Sequence, residues 1–388
     1  MKRINSIDFT RGLVMIIMAL DHVRDFIHTD AGTQSPTDLS TTTPVLFFTR
    51  WITYLCAPTF VFLAGTSAYI SLKKDNNIAL SRKFLVKRGL WLVLVEFVVV
   101  NFGLYFDPGF HNFLFEVIAT IGFGFMLLCL FIKLSPKTIA ATGLLIIFCH
   151  NLLPLIPFSD GSIVKTVLMP FFGITVFPVT SQTMLVIAYP PIPWLGIMLV
   201  GFACGKLFEL PVDIRKMQFL KIGSGALLLF IILRFINMYG EPVPWSPQKD
   251  AVYTFLSFIN VTKYPPSLLF CLITLGIMFF VLAFAEQVQN RLANVLTVYG
   301  RVPLFYFLVH FYLIHLIMLV VMFLQGYHWA DLDFVSGAFG RPKGATSGLS
   351  LWGVYAVWIA VVLVLYKPCI WFGTYKAKHK EKEWLKYL

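Results

Sequence analysis

Apolar stretches long enough to cross a lipid bilayer recur along nearly the whole chain, and no other feature restricts its fold so severely. A membrane-spanning helix needs about 20 predominantly apolar residues. Ten segments meet that need: 9–28, 47–72, 87–106, 113–133, 138–157, 189–208, 218–238, 265–286, 303–324 and 350–371. They are too long for barrel strands, which would also alternate apolar with polar residues. The chain is 58% hydrophobic and only 13% charged, against roughly 25% charged in soluble domains. A water-soluble fold buries one face of each element and has no use for this much apolar surface. The expected fold class is therefore an all-α integral membrane protein of about ten transmembrane helices. With no visible repeat or low-complexity linker, residues 1–388 read as a single polytopic domain. Pro265 and Pro303 stand at segment starts, where a missing N–H costs nothing.

Lys and Arg give the orientation. With the N-terminus placed in the cytoplasm, 22 of the 31 Lys and Arg fall in cytoplasmic segments and 5 in outer ones (Lys165, Lys249, Lys263, Arg341, Lys343). This split predicts that both termini are cytoplasmic, Lys2 and Arg3 contributing at one end and a basic tail at 372–388 at the other. The net charge of +12 follows from that topology, and no nucleic acid is expected as a partner. The tail is expected to lie on the inner leaflet. Six cysteines sit in or at apolar segments without CxxC pairing, so neither a disulfide framework nor a metal site is expected. The first apolar segment carries charges and no small-residue cleavage site, so it is expected to stay as a helix. The semi-apolar stretch 163–188, broken by Pro170, Gly173 and Pro178, is expected to lie in the interface or re-enter the membrane.

Charges inside a bilayer cost roughly 2.5–3.5 kcal/mol each on insertion scales, so they mark candidates for chemistry. The first helix holds the densest set. Asp8 and Arg11 lie near its start and read as a structural pair; Asp21, His22, Arg24, Asp25 and His28 crowd its end. Residues three or four apart share a helix face, and a histidine among carboxylates is suited to general-base work. Arg50 could neutralise Asp21 or Asp25. Glu96, Lys263 and His310 are further candidates for substrate binding, while Glu116, Arg234 and His315 are weaker: Arg234 reads as snorkelling to the interface, and His315, His150 and His379 as structural or surface residues. Two proline-rich elements, YPPIPW (189–194) and KYPPS (263–267), fix extended approaches to helices. No Walker, Rossmann, G-x-S-x-G or zinc motif occurs.

The run RINSIDFTRG, followed by DHVRDF, resembles bacterial members of the heparan-alpha-glucosaminide N-acetyltransferase catalytic-domain family. So do FFTRWITYLCAPTFVFLAG (47–65), KYPPSLLF (263–270), YGRVPLFYFLVH (299–310) and the closing tail. A second, more distant resemblance is to the acyltransferase-3 membrane family, in which a helix-one Arg and a later His on the same helix are essential; Arg11 and His22 are similar in type and position. The resemblance implies a multi-pass protein of the bacterial inner (plasma) membrane. It implies transfer of an acetyl group from cytoplasmic acetyl-CoA to a sugar or glycan hydroxyl or amine on the outer side. The family's helix-one Asn position holds Asp21 here, and both His22 and His28 stand as candidate bases. On this reading Asp21 or Asp25 orients His22, and Arg24 or Arg50 offsets charge at the thioester oxygen. Arg11, Arg88 or Arg301 meets the CoA phosphates. Expected partners are the bilayer, the acyl-CoA donor and the glycan acceptor, with a homodimer as a candidate assembly. The competing function is a transporter or flippase for a lipid-linked sugar or small solute.

Overall fold

The computed structural model describes residues 4–156, 162–343 and 347–387; Lys2 and Arg3 lie outside them. Helices form where the apolar runs are. α1 (Asn5–Ile27) is followed by α2 (Pro44–Trp51), which continues through one 3-10 turn into α3 (Cys56–Asp75). α4 (Ile78–Val95) passes through a π-helical turn at Glu96–Val100 into α5 (Asn101–Tyr105). Then come α6 (Val117–Phe131), α7 (Pro136–Cys149), α8 (Ile163–Phe172), α9 (Pro191–Cys204) and α10 (Val212–Ile236). α11 (Ala251–Ile259), α12 (Leu268–Ala285), α13 (Arg291–Gly300), α14 (Pro303–Leu324) and α15 (Leu351–Lys378) complete the set. Their starts carry ordinary signals. The Thr43 hydroxyl accepts from the Leu46 N–H with Pro44 next in line, Ser267 does the same for Phe270, and α9 and α14 open on Pro191 and Pro303.

Among the described residues, seven helical stretches are long and apolar enough to cross a membrane: Pro44–Asp75, Pro136–Leu153, Pro191–Glu209, Val212–Ile236, Leu268–Ala285, Pro303–Leu324 and Leu351–Lys378. The other three predicted segments are also helical but depart from that pattern. α1 carries Asp8, Arg11, Asp21, Arg24 and Asp25, α4 is interrupted by the π-turn, and α6 has only 15 residues.

The segment expected to be helical from residue 113 begins differently. β1 (Asn112–Phe115), β2 (Thr175–Pro178) and β3 (Met184–Ile187) form a small sheet in the order β1-β3-β2, with β1 parallel and β2 antiparallel to β3. The Asn101 side chain accepts from the Leu114 N–H at 2.6 Å and donates to the Leu114 carbonyl at 3.0 Å, which pins β1 beside α5. The stretch 163–188 thus folds as α8 and a hairpin in its described part.

The five most extensive helix contacts are α10–α12, α3–α9, α7–α9, α4–α6 and α1–α13. Each has a glycine on both faces: Gly223 with Gly276, Gly65 with Gly201, Gly143 with Gly196, Gly89 with Gly122, and Gly12 with Gly300. A Cβ on Gly12 would lie 1.8 Å from the Leu296 carbonyl oxygen, and one on Gly300 would lie 1.7 Å from that of Asp8. Lipid is as apolar as Leu, so helices in a bilayer associate through close backbone approach, and small residues permit it.

Two buried arginines tie the loops at the C-terminal end of α1. Arg234 does not snorkel: it is 1% exposed and donates to the carbonyls of Val243, Ser257, Phe258 and Asn260. A loop that wraps back over α10 offers its carbonyls at the depth of the guanidinium, and the five fixed donors of Arg suit several at once. Arg341 likewise donates to the carbonyls of His28, Thr29, Ala31 and Ser347.

Candidate active site

α1 carries the site's charged core. Asp21, Arg24, Asp25 and His28 recur at three- and four-residue spacing and so share a face. Asp21 is buried between two guanidiniums, that of Arg24 at 2.8 Å and that of Arg50 on α2. Arg24 also meets Asp25 at 2.5 Å, and Arg50 lies over the Tyr54 ring, 5.4 Å from its centroid. A carboxylate this deep is tolerable because opposite charge and hydrogen bonds surround it; removing both arginines would leave an uncompensated buried charge.

His22 turns toward α14 instead. Its Nδ1 lies 2.6 Å from Nε2 of His310, and its ring stacks on Phe311 with centroids 4.3 Å apart. His22 also lines a cavity of about 130 Å³ with Asp21, Asp25, Arg50, Lys263, Glu116, Tyr189 and Tyr264. Lys263 comes from the segment before α12. Its side chain is buried, with Nζ 4.9 Å from the Tyr264 ring centroid and 5.6 Å from that of Tyr189. It makes no hydrogen bond or ion pair with another described residue.

Two larger cavities flank this one. Toward the start of α1, a cavity of about 360 Å³ shares Phe60, Val117 and Phe307 with the His22 cavity. Its charged lining is Arg11, Arg88, Arg301, Lys376 and Lys386, with no carboxylate among the described residues. Arg11 donates to the Ser67 hydroxyl and to the Leu63 carbonyl at 3.1 Å. The first half of α1 (Arg11, Met15) and the C-terminal segment (Lys376, Lys386) thus meet at this cavity. Toward the end of α1, a vestibule of about 820 Å³ shares Asp25, Arg50, Lys263 and Tyr264 with the His22 cavity and is otherwise lined largely by polar groups such as Ser35, Asp38, Gln248 and Asn260. Glu241 faces the same vestibule. Burial pushes its carboxyl up from the usual range, and hydrogen bonds from Ser267 and Thr262 only partly offset this.

The candidate residues thus divide. The structure gathers His22, Asp21, Asp25, Arg50, Lys263 and His310 around the central cavity or directly behind it, and Arg11, Arg88 and Arg301 around the cationic one. Arg24 borders the vestibule and not the His22 cavity. His28 lies off the site: Asp30 N–H donates to its Nδ1 at 3.3 Å, its backbone is bridged to Leu349, and it lines neither the central nor the cationic cavity. Glu96 accepts from the Ala119 N–H at 2.9 Å and borders none of the three cavities. His315 is 3.1 Å from the Gly103 carbonyl and stacks on Phe106 at 3.8 Å; His150 spans the Ile146 and Pro266 carbonyls. Both are packing residues.

Three lining residues carried too little weight in the sequence. Glu116 is the N-cap position of α6. Tyr189 and Tyr264 each precede a proline pair, and their rings meet edge to face at 5.2 Å with the hydroxyls 3.4 Å apart. The repeated Tyr-Pro-Pro was the available signal: proline holds the preceding residue extended, which presents the tyrosine inward at a helix start.

Residues 3–235, more than half of the chain and including α1 through most of α10, match the family model for heparan-alpha-glucosaminide N-acetyltransferase, catalytic. The match covers His22, Arg50 and Glu116, while Lys263, Arg301 and His310 lie beyond it. No curated protein matches the chain. A helical membrane architecture, an intramembrane histidine among charges and a family match over this length lead to one assignment: the chain belongs to the heparan-alpha-glucosaminide N-acetyltransferase catalytic-domain family, a family that implies a membrane acetyltransferase.

Proposed function

We propose that this protein moves an acetyl group from cytoplasmic acetyl-CoA to a sugar hydroxyl or amine presented at the other face of a bacterial inner membrane. The observation that carries this reading is the series of three adjoining cavities with His22 in the middle one. Five cations without a carboxylate suit the phosphates of a CoA ester, and a polar vestibule suits a carbohydrate. The positive-inside charge split supports a cytoplasmic side for the cationic cavity.

The residues then divide the work. His22 takes the proton of the acceptor O–H or N–H as the acceptor atom bonds to the thioester carbonyl carbon. Lys263 and Arg50 offset the negative charge that gathers on the carbonyl oxygen. When the C–S bond breaks, His22 returns the proton to the departing thiolate. Asp21 holds Arg50 in place and balances the extra positive charge on His22. The transporter reading would use the same series of cavities, but the middle one is the smallest at about 130 Å³, which favours passing a two-carbon group over passing a whole sugar.

The test is to supply radiolabelled acetyl-CoA to one side of proteoliposomes and amino and neutral sugars to the other. Label is expected on the sugar. If no sugar is acetylated but labelled sugar crosses the bilayer, the enzyme reading fails and the transporter reading replaces it.

A further inference from the structure

We infer that His310 is a positioning residue: its backbone contacts fix the tautomer of His22 so that His22 Nε2 is the bare nitrogen offered to the acceptor. The inference rests on the acyl-transfer reading above, and it concerns a pair that lies 288 residues apart in sequence.

The chain of hydrogen bonds has one consistent direction. His310 is fully buried, and its Nδ1 faces two oxygens of its own helix, those of Phe307 at 2.5 Å and Tyr306 at 3.1 Å. A carbonyl oxygen can only accept, so Nδ1 of His310 must carry the proton. In a neutral ring the other nitrogen, Nε2, is then bare and can only accept. The atom beside it, 2.6 Å away, is Nδ1 of His22. For that contact to be a hydrogen bond, His22 must be protonated at Nδ1, which leaves its Nε2 without a proton. The reverse order would leave a lone pair on His310 Nδ1 pointing at two carbonyl lone pairs in a dry site. Protonating both nitrogens of His310 would put a second cation among Tyr306, Phe307 and Phe311, with no carboxylate in contact with it.

The rings around the pair hold this arrangement. His22 is clamped between the stacked Phe311 and the edge of Phe307, whose centroid is 6.3 Å away, and His310 lies parallel to Tyr306 at 5.5 Å. The role that a carboxylate fills beside many catalytic histidines, selecting the tautomer and fixing the ring, is filled here by a neutral histidine read against the backbone of α14. When His22 takes up a proton on Nε2, its Nδ1–H keeps donating to His310 Nε2, and no proton need pass to His310.

The pair can be read directly by nitrogen NMR of protein labelled with 15N-histidine in lipid, with the His22 signals assigned by their loss in His22→Gln. At neutral pH the wild type is expected to show His22 protonated at Nδ1 and bare at Nε2, with His310 also protonated at Nδ1 alone. His310→Leu should move His22 toward the Nε2-protonated form and lower kcat by roughly 10²- to 10⁴-fold, the range for losing a general base, with KM for both substrates little changed. His310→Gln, whose side-chain oxygen can accept from His22, should restore part of the rate. A wild-type His22 bare at Nδ1, or a doubly protonated His310, would overturn the inference whatever the His310 variants do. So would an unchanged kcat in His310→Leu. The expected tautomers in a wild type that transfers no acetyl group would sink the acyl-transfer reading while the pair's assignment stood.

Discussion

At the scale of single residues, the site separates groups that line a cavity from groups packed against backbone and rings. His22 and His315 are both intramembrane histidines, yet one lines a cavity beside a carboxylate and a lysine while the other is sandwiched by aromatic rings and bonded to a backbone carbonyl. His22→Ala is expected to lower acetyl transfer by about 10²- to 10⁴-fold, while His315→Ala and His28→Ala retain most of it. Turnover measured at equal amounts of folded, membrane-inserted protein checks all three; a His28→Ala variant as inactive as His22→Ala would move the base to His28. Lys263 makes a second prediction. Its ammonium is buried over two tyrosine rings and has no hydrogen-bond or ion-pair partner among the described residues, which suits a donor aimed at developing negative charge. Lys263→Met keeps the length and removes the charge. It should cost about 10²- to 10³-fold in kcat, as losing one oxyanion donor does, and an effect confined to KM would assign Lys263 to acceptor binding instead.

At the scale of elements, glycine decides how close α1 can come to α13, and so where His22 and Arg11 stand. Gly12→Ala would drive a methyl group into the Leu296 carbonyl, a backbone atom that cannot turn aside. It is expected to lower both the thermal midpoint and the activity, because α1 carries residues of two cavities. Gly225→Ala on α10 is the control. Nothing lies within 4 Å of its Cβ position, and alanine is the better helix former by about 1 kcal/mol, so its midpoint should hold or rise. Equal midpoints for the two variants would mean that α1 and α13 do not pack as closely as described here. The same contrast explains the helix starts. Thr43, Ser267 and the prolines at 191 and 303 are local signals, whereas the glycine faces have meaning only once two helices meet.

At the scale of the whole molecule, the three cavities imply two faces with different ligands. Acetyl-CoA should raise the thermal midpoint by mass action, by an amount equivalent to about 2.7 kcal/mol at a hundredfold excess over Kd. Arg301→Ala and Lys386→Ala should each weaken that shift while leaving the unliganded midpoint nearly unchanged; a full shift in both would remove the cationic cavity as the donor site. Reporter fusions after residues 110 and 250 are expected to read as external, since the Lys and Arg split favours both chain ends in the cytoplasm. A cytoplasmic signal at either point would reverse the assignment of donor and acceptor faces.

The sequence by itself determined the solvent and the class of fold. Apolar runs of bilayer length leave helices as the structure able to satisfy every backbone group internally, and the density of charge at the end of α1 marked Asp21, His22 and Asp25 without reference to any partner. Arg11, Arg88 and Arg301 were grouped by what the family resemblance implies for a CoA ester. Tertiary structure alone decided which of these share a cavity. His310 lies 288 positions from His22, and nothing local marks it as the partner of His22; only the packing of α14 against α1 brings the two rings together. Glu116, Tyr189 and Tyr264 enter the site because three separate helix starts converge on one point, and convergence is a property of helix packing. Glu96 and His28 border neither the central nor the cationic cavity for the same reason. A charge or an imidazole in an apolar stretch is costly wherever it sits, but the fold alone determines whether a cavity or a backbone group meets it.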